Sequence, residues 1–248
     1  MKFLRNISNS IRVSDYDMRA GEWQKMKSPK KNIVVWGAGD QNSVNLPIIN
    51  SLGIKIVAFV DETKGVHSPI KNTPIFTNIF ELIDWLKMSN LKNLGSIIAI
   101  GNPHSGKRME YSLLLEKAGI APTSIVDPTA RIRINVAYGK ALQAMPNVII
   151  NNNVRIGSNC ILNTASLIEH HCLLGDGVEI GPGAILTGRV TVKDHSWIGA
   201  GAVVLPRLVI GANSIVGAGA VVTKDVPDNC VVVGSPARIL RSDISNLP

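Results

Sequence analysis

The chain is short of aromatic residues, short of cysteine and free of long apolar runs, and each shortage removes a class of protein. Phe, Trp and Tyr together supply 4% of its 248 residues, so its core must be built from Val, Ile, Leu and Ala. Three cysteines, Cys160, Cys172 and Cys230, make no disulfide framework and read as small core residues in a reducing compartment. No stretch approaches the roughly 18 apolar residues of a membrane span. The basic N-terminus is followed by no apolar leader segment, so the expected location is cytoplasmic. Arginine-rich stripes and basic patches interleaved with aromatics are missing as well, which argues against a nucleic-acid partner.

What is present is length, positive charge and a repeat. The length suffices for two domains, each with its own core. A net charge of +8 favours anionic partners, phosphorylated small molecules among them. That charge is densest in residues 1–31 (Lys25, Lys27, Lys30, Lys31), a basic extension whose apolar anchors are Trp23 and Met26.

From Ile150 to Val222 every sixth residue is aliphatic, through Ile156, Leu162, Ile168, Leu174, Ile180 and onward without a miss. Two residues before each stands a mostly small side chain, such as Cys160, Ser166, Cys172 or Ala184. One residue after, glycine recurs at Gly157, Gly175, Gly181, Gly199, Gly211 and Gly217. A period of six is neither helical nor that of a simple strand. It predicts short strands and turns, three hexads to a coil, stacked as a parallel β-helix over about residues 148–226. The aliphatic residue enters the prism, and glycine serves corners that need positive φ or close approach. Residues 131–147 read as a connecting helix or an imperfect first coil.

Upstream, strands and helices alternate, which indicates a parallel sheet. Strands are expected at 32–36, 55–60, 96–100 and 124–126, and helices at about 43–52, 78–88 and 105–118. Gly37-Ala-Gly39 follows a strand and opens a helix, the setting in which backbone N–H groups meet a phosphate. Asp61 closes the next strand, where an acid would meet a ribose hydroxyl. The third glycine of a dinucleotide loop is replaced by Asn42, so the unit suits a mononucleotide or nucleotide sugar better than NAD; a tight turn without a ligand is the other reading.

Within the repeat, Ile168-Glu169-His170-His171-Cys172 carries two histidines beside a corner of the prism. A histidine there lies on the outer surface and can accept a proton at neutral pH. Spacing places no further ligand beside the pair, so no metal is expected. His67, His104 and His195 read as bystanders.

Together, the glycine-loop unit, the unbroken hexads, the Ile-Glu-His segment and the closing Val233-Gly-Ser-Pro-Ala-Arg238 resemble the hexapeptide-repeat sugar acyltransferases of bacteria. The nucleotide-amino-sugar N-acetyltransferases of the bacillosamine, viosamine and perosamine type, and the sialic acid O-acetyltransferases, look nearest. The resemblance implies a Rossmann-like domain over 32–126 and a left-handed β-helix over 127–248 with a C-terminal cap. It also implies a homotrimer with acetyl-CoA, as co-substrate, in the groove between prisms. By the same resemblance Gly39, Asp40, Gln41, Asp61, Glu62 and Gly101 hold the nucleotide-linked sugar. His170 is the base, flanked by Glu169 and His171, and Glu179, Gly199, Ala200, Gly217 and Ala218 line the acetyl-CoA site. Two residues depart from that family's pattern: His171 replaces a carboxylate after the base, and Glu179 replaces a second histidine near the thioester. Amide-forming acetyl transfer is the leading expectation; sugar O-acetylation and a non-catalytic nucleotide-sugar-binding protein are the alternatives.

Overall fold

A computed structural model describes residues 30–242. Lys25, Lys27, Trp23 and Met26 lie outside the described residues.

The first part is a five-stranded parallel sheet. Strands β1 (Asn32–Trp36), β2 (Lys55–Val60), β3 (Ile75–Phe76), β4 (Gly95–Ile98) and β5 (Ala121–Pro122) lie in the order β3-β2-β1-β4-β5. Between them run α1 (Asn42–Ser51), α2 (Ile79–Ser89) and α3 (Ser105–Lys117). Asn78 caps α2 by accepting from the Glu81 N–H at 3.0 Å, and the Glu81 carboxylate accepts from the Thr77 N–H at 3.0 Å, so each end satisfies the other. The apolar run of β1 is buried on both faces, as a central parallel strand requires. Ile33 and Val35 join α1 and the interior of the second part, whereas Val34 and Trp36 pack with Leu82 and Leu115 of the outer helices.

The strand expected at 124–126 does not belong to this sheet. Ile125–Val126 pairs with Gln143–Ala144 and begins the β-helix, while β5, four residues upstream, takes the edge beside β4. The short strand β3 was not anticipated; two residues are too few to show a period. Residues 131–147 form the first coils, with strands at Arg131–Ile132, Ala137–Tyr138 and Gln143–Ala144. Ile132, Tyr138 and Ala144 are in hexad phase, and only their residue types conceal it.

The β-helix has three parallel faces. The first runs from Ile125–Val126 through Ile161–Leu162, Glu179–Ile180 and Trp197–Ile198 to Val231–Val233; the second from Arg131–Ile132 through Leu167–Ile168 to Val221–Val222; the third from Ala137–Tyr138 through Leu173–Leu174 to Val209–Ile210. Each aliphatic residue of the series from Ile150 to Val222 is at most 2% exposed. An antiparallel strand, Arg238–Arg241, covers the edge of Val231–Val233 at the C-terminal end.

The corner glycines differ from expectation in one respect. Positive φ recurs every sixth residue, at Asn153, Asn159, Ala165, His171, Gly177, Gly183, Arg189 and His195 among others, two positions after the predicted glycines. Those glycines serve close approach instead: a Cβ on Gly199 would lie 2.6 Å from the Ala218 nitrogen of the coil above. Asparagine and glycine recur at the left-handed corner because both tolerate that conformation.

Candidate active site

A cavity of about 420 Å³ opens beyond the C-terminal ends of β1, β2 and β4. It sits where the strand order reverses between β1 and β4, the place where parallel sheets take ligands. Gly37 (φ 99) makes the turn after β1, and any Cβ there would lie 2.6 Å from the Ala99 carbonyl oxygen. Asn42, which occupies the place of a third glycine, donates from its amide to the carbonyls of Gly37 and Gly39 at 2.8 and 3.2 Å and holds the loop shut. Gly39 has nothing within 4 Å of its missing side chain, so the backbone stands open to the cavity. No side chain caps the N-terminus of α1 or of α3, and both border the same cavity, which Lys107 also lines. Two uncapped helix starts and an ammonium group make one wall strongly attractive to phosphate oxygens.

Other lining residues are acidic and aromatic. Asp61 accepts from the Ala38 N–H at 2.8 Å and the Thr63 N–H at 2.9 Å. Partial burial works against its charge, but these amide donors prevail and hold its carboxyl below the usual range. Asp61 therefore braces the glycine loop as well as bordering the cavity. Tyr111 stacks on Trp36 with ring centroids 4.1 Å apart and donates its hydroxyl to Glu62 at 2.8 Å. Burial, then that hydrogen bond and the neighbouring acids, push the phenol up to about 12, so it stays a donor. Sequence reasoning missed Trp36, Lys107 and Tyr111, and took His104 for a bystander although it borders the cavity. The pairing of Trp36 with Tyr111 spans 75 residues and leaves no local pattern.

Gly101 is brought to the same mouth, and Glu179, expected at the acetyl-CoA site, stands beside Gly101 and Asn102. The Glu179 carboxylate accepts from the Asn102 N–H at 2.8 Å and the Asn163 amide at 3.1 Å, and it faces Arg108 at 3.6 Å. It is a junction residue between the parallel sheet and the corner joining the third and first faces. His170 stands at the corner joining the second and third faces. Arg108 is fully buried and donates to the carbonyls of Ile100, Asn159 and Gly177 at 2.7, 2.9 and 2.8 Å. Burial pulls its guanidinium downward from its usual range, and Glu179 opposes that pull.

His170 and His171 are exposed. Their Nδ1 atoms lie 3.1 Å apart with the rings edge to face. Glu169 directs its carboxylate to the His170 backbone N–H at 3.2 Å and to the Asn151 amide at 2.9 Å, not to an imidazole. Gly188, one coil above, provides clearance: a Cβ there would lie 2.7 Å from Cε1 and Nε2 of His170.

Gly199, Ala200, Gly217 and Ala218 stack at the third corner, between the first and second faces. The cavity, His170 and this glycine-alanine column thus stand at three different edges of one prism. Among the described residues no group of three or more His, Cys, Asp or Glu could hold a metal ion, and no helix is long and apolar enough to cross a membrane.

Comparison with known proteins agrees with this geometry. Residues 189–224 match the family described as bacterial transferase hexapeptide (six repeats). The GDP-perosamine N-acetyltransferase of Escherichia coli O157:H7 is 34% identical over 170 residues, which span 66% of this chain and 73% of that protein. A solved mutant of perosamine N-acetyltransferase from Caulobacter crescentus, in complex with CoA and GDP-perosamine, superposes with a TM-score of 0.77 at 30% identity, covering 85% of this chain and 97% of that one. The acetyltransferase domain of PglB from Neisseria gonorrhoeae FA1090, in complex with acetyl coenzyme A, gives 0.75 at 26% identity, covering 85% and 100%. The chain belongs to the hexapeptide-repeat transferases of bacteria, within the acetyl-CoA-dependent nucleotide-amino-sugar N-acetyltransferases.

Proposed function

We propose that the protein transfers the acetyl group of acetyl-CoA to an amino group of a nucleotide-linked deoxy-amino sugar, in the cytoplasm, with His170 as general base. The observation that carries this reading is the polarity of the cavity. Two uncapped helix N-termini and Lys107 suit a diphosphate, and the Trp36–Tyr111 stack with Asp61 and Glu62 suits the nucleoside. Gly39, Asp40, Gln41 and Gly101 then border the path from diphosphate to sugar. On this reading residues 32 to about 123 form a Rossmann-like nucleotide-sugar domain. The rest is a left-handed β-helix acyltransferase domain, capped at its C-terminal end by Arg238–Arg241.

In the reaction the sugar nitrogen attacks the thioester carbonyl while Nε2 of His170 accepts a proton from that nitrogen. The tetrahedral intermediate collapses, the C–S bond breaks, and the imidazolium returns its proton to the CoA thiolate. Backbone N–H groups near Ala200 and Ala218 would line the acyl-CoA path and stabilise the oxyanion, a role typically worth several kcal/mol. No covalent enzyme intermediate is required, because holding both substrates side by side supplies the proximity.

Separation of the three edges calls for a second copy. The second face carries an outward aliphatic ladder of Ile149, Leu167, Ile185, Val203 and Val221, all partly exposed in the single chain. It lies between the His170 edge and the Gly199–Ala218 edge. Burying that ladder against neighbouring prisms would set one chain's His170 beside another's glycine-alanine column, as in a homotrimer.

The test is thiol release from acetyl-CoA with a panel of GDP-, UDP- and dTDP-linked 4-amino sugars, alongside His170→Ala. Release with one sugar, abolished in the variant, is the expected result. Release undiminished in His170→Ala, or with no amino sugar at all, would overturn the reading.

A further inference from the structure

The place after His170, where related enzymes would be expected to carry an orienting carboxylate, holds His171. The structure shows what stands in for that acid. Nδ1 of His170 has one ring partner, Nδ1 of His171 at 3.1 Å, and Nε2 of His171 faces the amide nitrogen Nδ2 of Asn153 at 3.3 Å one coil below. Glu169 is engaged by a backbone N–H and by Asn151, so it does not reach either imidazole. The other groups facing the pair are Gly188 above His170, Arg189 beside it, whose N–H donates to the His170 carbonyl at 2.9 Å, and the buried Cys172 thiol, which donates to Thr187.

We propose that His171, set by Asn153, is the positioning residue that makes His170 a base. The inference rests on the reading of His170 given above. For Nε2 of His170 to accept a proton from the substrate, its Nδ1 must carry one and donate it. The acceptor is Nδ1 of His171, which places the His171 proton on Nε2 and requires the Asn153 oxygen to receive it. With the Asn153 NH₂ toward Nε2 of His171, as the structure has it, the amide donates to His171, His171 donates to His170, and Nε2 of His170 is protonated and idle until the amide turns. Asn153 is exposed and at a left-handed corner (φ 61), free to turn. The chain Asn153–His171–His170 is thus a neutral relay with one competent and one idle proton arrangement. During reaction the positive charge on His170 draws the Asn153 oxygen into place.

The corner supplies the variants needed for a test. Glycine occupies the same left-handed phase at Gly177, Gly183 and Gly201, so His171→Gly removes the ring without straining the backbone. We expect kcat to fall about 10- to 100-fold, a fraction of what general-base catalysis provides, with the KM for both substrates and the melting temperature unchanged. His171→Asp, tolerated at positive φ, restores kcat and moves the acidic limb of the pH profile upward, because a carboxylate raises the basicity of the imidazole. Side-chain nitrogen NMR of the free enzyme reads the same point without turnover: His170 carries its proton on Nδ1 in the parent and on both nitrogens in exchange in His171→Gly. Unchanged kcat and tautomer in His171→Gly would overturn the proposal, as would a loss of kcat and binding together that Asp does not restore. If His170→Ala retained activity, the reading of the base itself would fail instead, and the two failures are told apart.

Discussion

Replacing Arg108 by methionine tests how the parallel sheet is fixed to the β-helix. Methionine roughly fills the volume and removes the guanidinium. The carbonyls of Ile100, Asn159 and Gly177 lose their donor, and Glu179, 8% exposed, is left with a charge that only Asn102 and Asn163 address. Removing one partner of a buried ion pair typically costs about 3–5 kcal/mol. At about 2–4 °C per kcal/mol for a chain of this size, the thermal transition should drop by roughly 6–20 °C. Removing the orphaned charge as well, in Arg108→Met with Glu179→Gln, should recover part of that loss. Because Glu179 also holds the Asn102 N–H beside Gly101, the KM for the nucleotide sugar should rise. Circular dichroism melts and initial-rate kinetics read both effects. A single variant that melts within about 1 °C of the parent would refute the junction argument, since that corresponds to well under 1 kcal/mol.

Gly188→Ala places a methyl group 2.7 Å from the His170 ring, so kcat should fall at least tenfold with KM preserved; parental kinetics would show that the ring position is not critical. Asp61→Ala removes the carboxylate that accepts from the Ala38 N–H of the glycine loop and from the Thr63 N–H, and should raise the nucleotide-sugar KM about tenfold, read by initial rates. The folded Asp61 carboxyl lies below its ordinary range near pH 3.9, so its bracing is complete above that range and is lost as pH falls through the lowered value; ligand protection measured between pH 5 and 3 should follow that course. Burial pushes the Cys160 and Cys172 thiols up to about 12 and 11, and they donate to the carbonyls of Gly175 and Thr187, so thiol reagents should label neither until the protein unfolds.

The β-helix was legible because a strict period exposes itself: each aliphatic residue at the sixth positions from Ile150 to Val222 enters the prism. Its first coils were not, because Tyr138 and Ala144 keep the phase without the residue type. The left-handed corner escaped notice for a related reason. Asn153, His171 and Arg189 share a backbone conformation but no chemistry, so glycine drew attention to the wrong turn position. At the cavity, the glycine loop and Asp61 were readable from local motifs, and Glu62 from the family resemblance. Lys107, Tyr111 and Arg108 were not, since α3 carries no signature and its partners are up to 75 residues away in sequence. Glu179 came from the family resemblance, and its contacts with Arg108 and the Asn102 N–H, 71 and 77 residues away in sequence, left no local pattern.

The most direct test of the account is sedimentation velocity on the active enzyme, with thiol release assayed across the same boundary. A site divided among three edges of the prism predicts that activity travels with a species of three times the 26.6 kDa chain mass. A charge on the second face, as in Val203→Glu, should dissolve that species and its activity together. Full activity sedimenting with a monomer would contradict the account.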